Sequence, residues 1–267
     1  MIKDLYTQML KYNFKPNHSL DQNFIVDDGV IKRVVEELSL KKTDVVLEVG
    51  PGTGFLTKQL LTYCKVIAIE KDKKMIVILE QEFVEEIKSG KLVLINDDFL
   101  KQDLEKYKFT KIATFLPYSI SQDFIEKILS CFVPVVAIVQ KEFGEKLTSF
   151  PGFINYNAIS ALCQSYYKIT FVRKVGKNSF FPVPNCDSAI ITMIPNKKTF
   201  DHRYNEFVKG IFRYPNKDVS NALNLFSRDV KIRGVAEKAK DLKVEITKKK
   251  IRQLEIKELE KMYSVVY

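Results

Sequence analysis

"LEVGPGTG", residues 47–54, decides how this chain folds. It closes an apolar run, "DVVLEVG" (44–50), and opens a helix-like stretch, "GFLTKQLLTY" (54–63). Continuous apolar character is what a strand buried on both faces of a parallel sheet requires. Gly50, Gly52 and Gly54 follow G-x-G-x-G spacing. Glycine lets the backbone turn sharply there and lets a ligand approach closely. Alone the spacing is a weak signal, because dinucleotide-binding folds carry a glycine turn at the same place.

Outward from the glycines, strand and helix patterns alternate. Upstream, "GVIKRVVEELSL" (29–40) puts Val30, Val34, Val35 and Leu38 at helical spacing. Downstream come a strand "KVIAIEKD" (65–72), a helix "KKMIVILEQEFVEEI" (73–87) and a strand "KLVLIND" (91–97). A fourth strand, "KIATFLPYS" (111–119), a helix "SQDFIEKILSC" and a fifth strand "VPVVAIVQK" (133–141) follow. Such alternation predicts an open α/β, Rossmann-like sheet with right-handed crossovers. Beyond Gly144 the text changes to a helix and strand in "NAISALCQSYYKITFVRKV", then a proline-punctuated loop feeding a strand in "FFPVPNCDSAIITMIP". After Pro195 it is basic and helical: "YNEFVKGIFRY", "VSNALNLF", "IRGVAEKAKDL" and "KKKIRQLEIKELEKMY". Two domains are expected, 1–195 and a smaller helical one at 196–267.

Two acids sharpen the glycine loop. Glu70 closes the second strand, where a carboxylate accepts both hydroxyls of a ribose. Asp98 follows the third strand in "NDDFL", placed to accept from an adenine amine, and its neighbour Asp97 competes for that role. Ligands of such sheets sit outside the carboxyl ends of the strands, where all three features lie. "GPGTG" departs from G-x-G-x-x-G, so a nucleoside without a pyrophosphate fits better, and S-adenosylmethionine is the natural candidate.

Composition narrows the class. Of 267 residues, 46% are hydrophobic, enough for a packed core. No apolar run reaches about 18 residues, so no membrane span is expected. The N-terminus is charged from Lys3 and lacks an apolar signal core, which points to the cytoplasm. Cys64, Cys131, Cys163 and Cys186 form no C-x-x-C pair, and histidine occurs only at 18 and 202. Neither zinc nor a disulfide framework is expected, and the thiols are read as buried and free. The net charge of +10 is concentrated: residues 196–267 hold 18 Lys+Arg against 10 Asp+Glu. That asymmetry points to a polyanion partner, most simply nucleic acid.

At this point the chain resembles the ribosomal RNA adenine N6-dimethyltransferase family, which includes the bacterial and archaeal small-subunit enzymes and is related to the erythromycin-resistance methylases. The resemblance runs nearly end to end. It rests on "LDQNFIVD", "LEVGPGTGFLT", "VIAIEKD", "INDDFL", "FLPYSIS", "VQKEFGEKL", "FFPVPNCDSAI" and "RYPNKDVSNAL", in the family's order. It implies an S-adenosylmethionine-dependent enzyme that methylates adenines near the 3' end of small-subunit ribosomal RNA, in the immature small subunit. Carried over residue by residue, Gln22, Asn23 and Ile25 line the cofactor pocket, Gly50 and Gly52 border the methionine part, Glu70 holds the ribose and Asp98 the adenine amine. Leu116, Pro117 and Tyr118 form the catalytic loop. Tyr118 and Phe180 stack on the target base, with Phe181 an adjacent competitor. Neither metal nor membrane is implied, and a monomer is expected.

Three departures stand out. Asp21 replaces the glycine of L-G-Q-N-F, which a loop tip tolerates if its φ is negative. "RYPNKDVSNAL" carries fewer positive charges than the family's arginine-rich stretch. Phe115 stands where the family places Asn or Asp before the L/I-P-Y triplet, at the junction of cofactor and substrate. An adenine amine is a poor nucleophile because its lone pair is delocalised into the ring, and Phe115 offers it no acceptor. Losing one polar transition-state contact costs about 100- to 1,000-fold in rate. Ser119 or the Leu116 carbonyl is left to substitute. A rival expectation is an RNA-binding assembly factor that keeps the fold with weak or no catalysis.

Overall fold

The structure, a computed structural model, describes residues 1–231, 235 and 242–267. Two short elements escape the periodicity reading. Helix α1 (Ile2–Lys11) turns Leu5 inward. Its end is tied to Glu82 by Lys11 (2.8 Å) and the Tyr12 hydroxyl (2.5 Å). Strand β1 (Phe24–Ile25) is two residues long, too short for alternation to register. Helix α2 (Asp28–Leu38) follows, its first turn capped by the Asp27 carboxylate, which accepts from Gly29 N–H (2.9 Å) and Val30 N–H (3.3 Å).

The five apolar runs become β2 (Val45–Val49), β3 (Lys65–Glu70), β4 (Leu92–Asn96), β5 (Lys111–Phe115) and β6 (Val135–Gln140). They pair in parallel, in the order β4-β3-β2-β5-β6. β9 (Ser188–Pro195) adds antiparallel to β6, and β7 (Tyr167–Val175) closes the edge of a seven-stranded sheet. The predicted α/β, Rossmann-like class is the one observed. From β2 the chain builds outward to β3 and β4, then returns to lay β5 and β6 on the other side. The switch point therefore lies between β2 and β5, and a crevice opens at their carboxyl ends. Register makes those ends level: Val49 faces Ile69 and Thr114, Glu70 faces Asn96, and Phe115 faces Ile138.

Two elements end earlier than their patterns suggest. β5 stops at Phe115, not at residue 119: Leu116 N–H still reaches Ile138 O (3.2 Å), but Pro117 has no N–H and a 3-10 turn, Tyr118–Ile120, takes over. The helix predicted over 73–87 is two, α4 (Lys73–Glu82) and α5 (Val84–Lys88), broken at Phe83, whose φ of −123° and ψ of 35° leave the helical region. Phe83 is buried against Gly54. β1 pairs antiparallel with another two-residue strand, β8 (Phe180–Phe181), in the register Phe24–Phe181 and Ile25–Phe180.

The chain divides into two compact units. One holds 1–144 with 170–195, the other 145–169 with 196–267. This differs from a single cut at 195. Helix α8 (Ala158–Tyr166) buries seven of its nine residues and packs on α9 (His202–Ile211). Tyr204 meets Ser165 at 2.9 Å and Tyr166 donates to Asn205 at 2.7 Å. The second unit continues through α10 (Val219–Asp229), a short helix Val244–Thr247 and the helix Ile256–Val266. The helix predicted over 232–242 lies almost wholly outside the described residues.

Candidate active site

The glycine loop leaves β2 and feeds helix α3 (Phe55–Leu61). All three glycines have positive φ: 68° at Gly50, 55° at Gly52 and 83° at Gly54. A Cβ on Gly54 would sit 2.6 Å from the Phe83 ring, and one on Gly52 3.2 Å from Phe24. Gly50 N–H is held by Ile69 O (3.0 Å).

Glu70, at the end of β3, is 8% exposed. Its two oxygens accept from Gly52 N–H (3.1 Å) and Asp72 N–H (2.8 Å). Burial raises its pKa and those two donors oppose the shift. The carboxylate is thus fixed in direction, with lone pairs left for a ligand. After β4, Asp98 accepts from Lys71 Nζ (3.0 Å) and Leu100 N–H (3.0 Å), and the Lys71 ammonium holds its carboxyl below the usual range. Asp97 accepts from Asp98 N–H (2.7 Å) and Gln102 (2.5 Å). Both acids line the crevice, so the rivalry between them stays as the sequence left it.

The crevice encloses a cavity of about 250 Å³. It is lined by Gly50, Gly52, Glu70 and Asp98 from the strand ends, by Gln22, Asn23 and Ile25 from the N-terminal segment, by Phe115, Leu116, Pro117 and Tyr118 from the end of β5, and by Phe180. Gln22, Asn23, Ile25, Gly50, Gly52, Glu70, Asp98, the 115–118 loop and Phe180 therefore border one space, while Gly54 and Phe181 do not. Gln22 is braced between Asn17 N–H (2.8 Å) and Asp72 (2.7 Å). The Tyr118 hydroxyl meets Ser188 Oγ at 2.7 Å, which sets the angle of the ring. Phe180 borders the cavity, whereas Phe181 turns away to meet Tyr6 edge-on at 5.2 Å. Phe115 packs against the core and borders the cavity, and its side chain carries no hydrogen-bonding group.

A second space of about 490 Å³ adjoins the first and shares Asp21, Gln22, Asn23, Tyr118 and Ser119 with it. Gln140, Pro182, Val183, Pro184, Asn185 and Cys186 form the rest of its lining. Asp21 was read only as a departure in a loop, and its φ is +50°, not negative. Aspartate is one of the few non-glycine residues that tolerate this region. Sequence reasoning missed Asp21 as a cavity residue, its adjacency to Gln22 being the available signal; Ser119, named there as a substitute acceptor, does border the cavity. The four thiols are free, but only Cys64 and Cys163 are buried; Cys131 and Cys186 are half-exposed.

One buried acid stands apart. Glu48, the penultimate residue of β2, is 1% exposed, and its Oε2 finds no partner among the described residues. Burial pushes its pKa up to about 8. At neutral pH it is mainly protonated, which makes its position inside the sheet tolerable.

The model of the ribosomal RNA adenine dimethylase family matches residues 13–261. A probable ribosomal RNA small subunit methyltransferase A of Pyrococcus furiosus is 39% identical over 222 residues, covering 82% of this chain and 79% of the relative. Its counterpart in Thermococcus sibiricus is 37% identical over 226 residues, covering 84% and 81%. Among solved structures, a dimethyladenosine transferase from Plasmodium falciparum superposes with a TM-score of 0.77 over 90% of this chain and 95% of that one, at 24% identity. The 23S rRNA methyltransferase ErmE gives 0.68 over 91% and 99%, at 21% identity. These two are likenesses of fold. The family match spans both units and every motif around the crevice, and on it the chain belongs to the ribosomal RNA adenine dimethylase family.

Proposed function

We propose that this protein transfers methyl groups from S-adenosylmethionine to N6 of adenines near the 3' end of small-subunit ribosomal RNA, acting on the immature small subunit. The observation that carries the reading is the single crevice at the switch point of a family member, where a fixed carboxylate, a glycine turn and two aromatic residues converge. The residues fit the donor. Gly50 and Gly52 border the space for its methionine part. Glu70 accepts from the ribose hydroxyls. Asp98, with Asp97 beside it, accepts from the adenine amine. Gln22, Asn23 and Ile25 close the side. Bound there, the donor would supply an electrophilic methyl to the lone pair of adenine N6, its sulfur keeping the pair of the broken carbon–sulfur bond.

The chain's own work is positioning and exclusion of water. The target adenine must leave its helix or loop to reach the crevice. Tyr118 and Phe180 offset its lost stacking by about 1–3 kcal/mol each. The basic second unit holds RNA phosphates: from 196 onward lysine and arginine outnumber acids 18 to 10. The protein works as a monomer in the cytoplasm and needs no metal.

Incubating immature small subunits with methyl-labelled donor, then digesting the RNA, tests this. Label in N6-methylated adenine is expected; none, with donor and RNA still bound, overturns the reading. Phe115 favours that second outcome, an assembly factor with little catalysis, because it supplies no acceptor for the amine. Phe115→Asn, assayed alongside, is expected to raise the rate.

A further inference from the structure

We propose that Asp21 is the acceptor that prepares the target adenine's amine for methylation in this protein. The inference rests on the functional reading above and concerns the one chemical group that Phe115 cannot provide. Four carboxylates border the donor cavity: Asp21, Glu70, Asp97 and Asp98. Three are already committed. Glu70 accepts from two backbone N–H groups, Asp98 from Lys71 and Leu100, and Asp97 from Asp98 and Gln102. Asp21 alone of the four also borders the second cavity, where Tyr118 and Ser119 stand. Its Oδ2 accepts a 3.3 Å hydrogen bond from Ser119 N–H, and its Oδ1 has no partner among the described residues. No cation pairs with it among those residues. Its carbonyl accepts from Asn23 Nδ2 (3.0 Å), which holds the loop. An anionic acceptor is thus held by backbone against the turn that carries Tyr118, at the seam between the two spaces.

An amine donating a hydrogen bond to a carboxylate gains electron density, and charge-assisted bonds are about twice as strong as neutral ones. Once N6 has used its lone pair to bond the methyl carbon it bears a positive charge. The proton it sheds passes to the Asp21 carboxylate and on to water, because the residue is half-exposed. Asn23 Oδ1, the Leu116 carbonyl and the Ser119 hydroxyl are the neighbouring acceptors, but an amide, a carbonyl and a neutral hydroxyl do not take the proton as a carboxylate does.

The test compares wild type, Asp21→Gly and Asp21→Asn, with and without Phe115→Asn. Glycine adopts a φ of 50° freely, so Asp21→Gly folds. Single-turnover rates, donor uptake by calorimetry and RNA affinity are measured on each. The amine protons of a 15N6-labelled target adenine are followed by NMR with the demethylated donor product present. Asp21→Gly is expected to lose about 100-fold or more in rate, to keep donor and RNA affinities within about threefold, and to lose the downfield shift of the amine protons. Asp21→Asn falls between. Phe115→Asn restores rate to Asp21→Gly. An Asp21→Gly protein as fast as wild type, or one whose loss lies in donor or RNA affinity, overturns the inference alone. A wild type that transfers no methyl to adenine overturns it together with the functional reading.

Discussion

Glu48 shows what a single residue's burial does to a pH profile. Its carboxyl titrates near 8 in the fold, against 4.5 as its ordinary value. Between those values the unfolded chain releases a proton that the folded chain keeps, so this site subtracts stability as pH rises from about 5 to 8. Glu48→Gln is expected to gain on wild type across that range, read as a widening difference in Tm between pH 5 and 8; parallel curves would refute it. Gly54 makes a steric case. An alanine there meets Phe83 at 2.6 Å and Leu79 at 2.9 Å with φ at 83°. Strained backbone and overpacking together cost roughly 2–4 kcal/mol. Gly90, at φ 69° with nothing within 4 Å, is the control: Gly90→Ala is expected to cost only about 1–2 kcal/mol, both variants being read by urea unfolding. Glu70→Ala removes a charged acceptor and is expected to weaken donor uptake by about 10- to 100-fold in calorimetry.

At the scale of elements, the pairing of β1 with β8 does more than its length suggests. It joins residues 24–25 to 180–181 across the chain, and Val26 N–H continues it onto Ser179 O at 2.9 Å. The Ser179 hydroxyl then donates to Asp27 Oδ2 (2.8 Å), the carboxylate that caps α2. One side chain thus starts a helix and joins the 20–27 segment, which presents Gln22 and Asn23, to Ser179. Asp27→Ala is expected to lower stability by about 1–2 kcal/mol from the cap, and to weaken donor uptake as well. Urea unfolding and calorimetry separate the two effects, and unchanged uptake would mean that the 20–25 loop holds itself. The same ladder explains why Phe180 and Phe181 were indistinguishable beforehand. Adjacent strand residues point to opposite faces, so register decides which one meets the crevice. The break at Phe83 was equally hidden, because an aromatic at helical spacing reads as helix until its neighbour, Gly54, is known.

Over the whole molecule, charge and chemistry are divided between the units. The donor crevice belongs wholly to the first, while the cationic excess lies in 196–267. RNA affinity should therefore fall steeply with salt, by roughly 1,000-fold between 50 and 200 mM if about six phosphates are held, while donor uptake barely changes. Equal salt dependence of the two would contradict that division. The sequence by itself determined the alternating strands and helices of the first half, the glycine turn and the acids at strand ends. Those features rest on local rules: apolar runs for buried parallel strands, glycine for positive φ, and connections of fixed hand. Only the tertiary structure decided that 145–169 joins the helical unit, that Phe180 rather than Phe181 borders the crevice, and that Asp21 turns left-handed to share a wall with Tyr118. Each of these depends on which distant segment a residue meets, and no local pattern of side chains encodes so remote a partner.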